Sequence, residues 1–129
     1  MSKEYTNELL INFGEDGQTL LPVVTQDYNT KEVLILSFVN RAAFEETRKS
    51  GLATYWSRSR NELWKKGMTS GDTLKIKEIR INCEQNSLLY LVEPQGKGAC
   101  HAKKENGNPY SSCYYRTIND DDSLTIVEK

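Results

Sequence analysis

Two apolar, β-branched runs, LLPVVTQDY (20 to 28) and KEVLILSFV (31 to 39), stand two residues apart with Asn29 and Thr30 between them. Val, Ile and Thr are stiff side chains that pack well on a pleated surface, and Asn favours a tight reversal, so the spacing predicts a β-hairpin. A helix is expected next. Asn40 is its N-cap, Ala42, Ala43 and Phe44 give it an apolar side, Glu45 and Glu46 sit early, Arg48 and Lys49 sit late, and Gly51 ends it.

LATYWSR and NELWKKG then read as two short strands in which charged residues alternate with Tyr55, Leu63 and Trp64. In TLKIKEIRIN (73 to 82), Leu74 and Ile76 share one parity while Ile79 and Ile81 share the other. Side chains alternate strictly along a strand, so one face stays buried only if an extra residue intervenes, and a β-bulge is expected near Lys77 and Glu78. SLLYLVEP (87 to 94) and YSSCYYRTI (110 to 118) are further strands, with SLTIV (123 to 127) a candidate edge. The glycine-rich QGKGACHAKKENGNP (95 to 109) between them is a loop. The expected fold class is α+β, mostly antiparallel β-sheet with one main helix.

A length of 129 residues accommodates one domain with a real core, so residues 1 to 129 are read as a single domain. With 17 Lys and Arg against 18 Asp and Glu, there is no global basic field to recruit nucleic acid. No stretch approaches the ~20 apolar residues of a membrane helix, and MSKEYTNELL lacks the apolar heart of a secretory signal. A cytoplasmic protein with no membrane partner is expected. Three cysteines, Cys83, Cys100 and Cys113, cannot all pair within one chain, which leaves free thiols or thiolate metal ligands.

Cys83 and Cys113 are compatible with small buried residues of a sheet. Cys100 differs, because a polar loop offers it no core and the chain's only histidine, His101, is adjacent. Three thiolates with an open fourth position would make a tetrahedral zinc site able to hold a water. Such a site carries formal negative charge and acidifies water less than an all-imidazole site, so a neighbouring base is needed. His101 is therefore assigned as general base rather than ligand.

The segment WSRSRNELWKKGMTSG (56 to 71) concentrates two tryptophans, cationic side chains and hydroxyls in sixteen positions. Charges on a strand face ordinarily do no more than solvate it. Here the segment, together with PVVTQDYNTKEVLILSFVN, INCEQNSLLYLVEP, ACH and SCYYR, resembles the phosphoribosyl-AMP cyclohydrolase family of histidine biosynthesis over roughly residues 20 to 116. The resemblance implies a hydrolase that opens the N1 to C6 bond of the adenine ring of phosphoribosyl-AMP. It implies an intertwined homodimer, with zinc held by cysteines of both subunits at positions matching Cys83, Cys100 and Cys113. Ser57, Arg58, Ser59, Arg60, Lys66, Thr69, Ser70 and Gly71, with Lys65 and the amide of Gly67, then become partners for the phosphates and ribose of a purine nucleotide. Trp56 and Trp64 are expected to be core anchors.

Two departures accompany the resemblance. The family pattern Asp-Cys-Asp-x-Asp, whose carboxylates hold magnesium, is replaced by Asn82-Cys83-Glu84-Gln85-Asn86. Each lost carboxylate removes an ion pair worth roughly 4 kcal/mol at an effective dielectric of 20, so Mg2+ at Asn82, Glu84 and Asn86 is expected to bind weakly or not at all. The stretch from Cys100 to Cys113 is also longer than the family form, and Lys103 and Lys104 within it are read as keeping that loop soluble. These changes leave open a paralogous zinc hydrolase or deaminase, or a catalytically reduced binder of another purine nucleotide.

Overall fold

The computed structural model describes residues 2–128. In chain order its elements are β1 (Leu21–Asp27), β2 (Val33–Val39), α1 (Arg41–Ser50), β3 (Thr54–Ser57), β4 (Glu62–Lys65), β5 (Leu74–Ile81), β6 (Leu88–Pro94), β7 (Arg116–Ile118) and β8 (Leu124–Ile126). The class is α+β with a dominant sheet, as the sequence indicates. No described helix is long and apolar enough to cross a membrane.

The central sheet runs β2-β1-β6-β5. β1 and β2 form the expected antiparallel hairpin, with Leu21 opposite Val39 and Val23 opposite Ser37. Its turn is longer than Asn29 and Thr30 alone: Asp27 donates to the Glu32 carbonyl at 2.8 Å, and Lys31 takes a left-handed φ of 69°. At the centre, β1 and β6 pair in parallel from Val23/Leu88 to Asp27/Val92, the one parallel ladder among the described strands. In the β5/β6 ladder Ile76 faces Val92 and Glu78 faces Leu91, so Lys77 is the extra residue. The bulge lets Leu74 and Ile76, then Ile79 and Ile81, all pack on the same core.

Asn40 caps α1, its Oδ1 accepting from the Ala43 amide at 2.9 Å, and Gly51 closes the helix at φ 75°. The first turn holds no acidic residue, so Glu45 and Glu46 lie beyond the reach of the N-terminal dipole rather than early. The helix buries Ala43, Phe44 and Thr47.

β3 and β4 form a separate hairpin that places Tyr55 opposite Trp64. Tyr55 is fully buried, lies 6.2 Å from the Tyr90 ring and 5.6 Å from Trp64, and shares a 2.7 Å hydrogen bond with the Thr25 hydroxyl. Burial holds its own hydroxyl protonated far above the ordinary tyrosine range. Trp56 and Trp64 are half-buried against the core, as anchors should be.

The expectation of a strand over 110 to 118 needs correction. Only Arg116–Ile118 is extended, pairing with β8 in an exposed hairpin, and Cys113 lies in irregular chain. The reason lies in contacts from elsewhere in the chain: Ser112 gives its hydroxyl to the Val33 carbonyl at 2.6 Å, and the Ser111 amide is held by the Glu128 carboxylate at 2.8 Å. Side chains thus satisfy polar groups that a ladder would otherwise serve.

Replacing Tyr55 with Phe leaves the buried Thr25 hydroxyl without this partner. The expected cost is about 1–3 kcal/mol in equilibrium denaturation, with the fold retained.

Candidate active site

After β6 the chain folds back on itself. Cys100 donates its amide to the Tyr110 carbonyl and Tyr110 donates to the Ala102 carbonyl, each at 3.1 Å. This approach requires glycine at 98, where a Cβ would overlap the Tyr110 carbonyl. The Cys113 amide reaches the Leu34 carbonyl at 2.8 Å, which fastens the returning segment along β2. Together these contacts bring the Cys100 and Cys113 thiols close enough for each to influence the ionisation of the other.

Burial and the neighbouring Cys100 push the Cys113 thiol up to about 12. Nearby, Lys66 is only 7 % exposed, and its ammonium donates to the Asp72 carbonyl at 3.3 Å. Burial lowers its pKa, opposed by Asp72 and by the two cysteines. The cation is drawn inward beside the thiol pair rather than presented to solvent. His101 is exposed next to this pair, and the Ala102 amide donates to Cys100 Sγ at 3.4 Å.

Cys83 stands elsewhere. It is exposed in the turn between β5 and β6, and among the described residues no three His, Cys, Asp or Glu side chains of this chain converge as a metal site. In that turn Asn82 Oδ1 accepts from the amides of Asn86 and Ser87 at 2.9 Å each, while Asn82 Nδ2 donates to Asn86 Oδ1 at 2.6 Å. Glu84 borders an open recess shared with Lys3 and Asn12.

The segment 56 to 71 divides between two recesses. Ser57, Arg58 and Ser59 line a depression of about 550 Å³ with Phe38, Trp56 and Trp64, and Arg58 lies 4.0 Å over the Phe38 ring. The Arg60 amide donates to Ser57 Oγ at 3.2 Å, shaping that turn. Ser70 and Gly71 instead border a recess of about 400 Å³ with Lys97 and Lys103. Thr69 is exposed in the turn before them. Lys104 does not reach this recess, being paired with Glu128 at 3.0 Å.

Comparison with known proteins settles the relationship. The family model described as Phosphoribosyl-AMP cyclohydrolase matches residues 35–115. The chain belongs to that family. The phosphoribosyl-AMP cyclohydrolase of Archaeoglobus fulgidus is 50% identical over 112 residues, 87% of this chain and 95% of its own. That of Methanocella arvoryzae is 53% identical over 107 residues, covering 83% of this chain and 82% of its own. That of Desulfatibacillum aliphaticivorans is 46% identical over 108 residues, covering 84% and 81% respectively. All three are curated as phosphoribosyl-AMP cyclohydrolase, and the chain is an enzyme of this kind.

Three residues of this cyclohydrolase's recesses escaped the sequence reading. Phe38 carries the Arg58 guanidinium, Asp72 holds Lys66 through its carbonyl and accepts the Lys97 amide at 2.9 Å, and Lys97 itself borders the second recess. Phe38 could have been found from strand alternation; contacts made by the Asp72 carbonyl and the Lys97 amide leave no mark in residue type.

Gly98→Ala is expected to destabilise the enzyme by about 1–3 kcal/mol, since the added methyl must displace backbone. Thermal denaturation beside the parent protein measures it.

Proposed function

We propose that the chain is a zinc-dependent hydrolase that opens the adenine ring of phosphoribosyl-AMP at N1–C6 in cytoplasmic histidine biosynthesis. The observation that carries this is the pairing of the buried Cys100 and half-buried Cys113 thiols beside His101, with a third thiol, Cys83, exposed on a different part of the surface. Two close thiols resist ionising together, and a bound divalent cation reverses that resistance. The donor set therefore fits zinc. Cys100 and Cys113 of one subunit and Cys83 of a second copy would hold it. Val24, Leu36 and Ile118, exposed on the monomer, supply apolar surface for such a homodimer.

Zinc supplies Lewis acidity that lowers the pKa of water near neutral pH. An N1 substituent makes the purine cationic and C6 electrophilic. His101, unburied and adjacent to Cys100, takes the proton from the attacking water as general base and returns it to N1 as the bond opens. The Lys66 cation offsets the negative charge of the thiolates. Arg58, Arg60 and the hydroxyls of Ser57 and Ser59 take one phosphate; the Ser70 hydroxyl and Lys103, at the recess that Gly71 borders, take the other.

Magnesium does not fit the turn around Cys83. The Oδ1 atoms of Asn82 and Asn86 already accept hydrogen bonds within it, and Glu84 is its only carboxylate. No step is assigned to that ion.

The central test is zinc per subunit together with ultraviolet-monitored ring opening of phosphoribosyl-AMP. One zinc per subunit with turnover is expected; turnover only on another purine nucleotide would instead favour a paralogue. His101→Ala should keep its zinc and lose roughly 10²–10⁴-fold in kcat. Cys83→Ser and Cys113→Ser chains, inactive apart, should regain part of the activity when refolded together, because mixed dimers contain one intact site. Zinc affinity should rise with pH. The Cys113 thiol is held protonated from its ordinary 9.0 up to about 12, so zinc uptake must expel that proton. Calorimetry of the metal-free protein should show no micromolar magnesium binding.

A further inference from the structure

Gln85 lies two residues after Cys83, is only 5 % exposed and has a left-handed φ of 54°. A non-glycine residue holds that conformation only where its surroundings fix it. Here they do so through the N-terminal arm. Gln85 Oε1 accepts from the Leu10 amide at 2.6 Å, and Nε2 donates to the carbonyls of Glu8 at 3.1 Å and Lys3 at 3.3 Å. The Gln85 amide closes the turn on the Asn82 carbonyl at 3.0 Å. One primary amide thus ties three backbone groups of the arm to the turn that presents Cys83. Between arm and turn lies a recess bordered by Thr6, Leu9, Ile81 and Cys83.

The chemistry specifies the residue. Gathering one N–H and two carbonyls demands an acceptor and two donors on one planar group, which a carboxylate or an ammonium does not offer. The contacts read backbone, so the arm serves whatever side chains it carries. Inside the turn, the Asn82 and Asn86 amides complete the same rigid unit.

We infer that Gln85 is a positioning residue: by latching residues 3 to 10 over the β5–β6 turn, it fixes the direction in which Cys83 is offered to the metal centre. This rests on the zinc reading above, so the test separates the two. Gln85→Met removes the amide at similar volume, and Leu10→Pro removes the N–H that Gln85 Oε1 accepts, both in the full chain. Neither change touches the apolar core.

Metal-free wild type loaded with cobalt should show the sulfur-to-cobalt charge-transfer intensity of three thiolates. Each variant should fall toward that of two, with zinc affinity about ten-fold weaker in chelator competition and stability to denaturant nearly unchanged. The double variant should be no worse than the single ones, because both cut the same latch. Without metal, exchange of the Asn86 and Ser87 amides should quicken in both variants. Unchanged cobalt spectra and unchanged amide exchange in the variants would overturn the inference while leaving the zinc reading intact. A wild type lacking the three-thiolate signal would overturn the zinc reading and this inference with it.

Discussion

The fold depends on the burial of one tyrosine. Tyr55 inserts from the β3–β4 hairpin into the core, stacks on Tyr90 of β6 and is fixed by Thr25 of β1. An isolated two-stranded hairpin is marginal in water, so without this anchor the segment that begins at Trp56 would have no stable base. Ser57 to Arg60 and the path through Lys66 to Gly71 take their positions from it. The hydrogen bond adds direction to the burial, since a buried hydroxyl is costly unless its partner lies in one place.

A second constraint is the closeness of backbone to backbone behind the thiol pair. Gly98 admits the Tyr110 carbonyl, and Gly67, at φ 81°, admits the backbone of Asp72, which in turn holds the Lys66 ammonium. Both glycines act where a Cβ would separate strands of irregular chain that carry reactive side chains. The resulting pocket wall holds a buried cation, which opposes without cancelling the burial that keeps the Cys113 thiol protonated.

Periodic features of the fold were legible in the sequence, and so was the family. The parity switch at Lys77, the Asn40 cap and the β1–β2 hairpin follow from side-chain alternation and capping chemistry, which act over a few residues. Cys113 was misplaced in a strand because Ser111 and Ser112 make their bonds to Glu128 and β2, contacts distant in the chain. The two recesses of the 56 to 71 segment looked like one site, since spacing along a strand does not reveal where a turn divides it. Gln85 gave no signal, because its partners are main-chain groups some eighty residues away. Loop chemistry of this kind is encoded in geometry rather than in residue pattern.

The single extra residue in β5 has a reach beyond its own ladder. Were Lys77 taken into the ladder rather than bulged out of it, the residues before it would stay in phase with the core and every later one would turn over, Ile79 and Ile81 outward and Arg80 inward. The loop after the strand would start from an inverted frame, so the sulfur at 83 would leave from the opposite side of the sheet. An unpaired lysine in mid-strand therefore acts as the phase setting for a reactive atom six positions downstream.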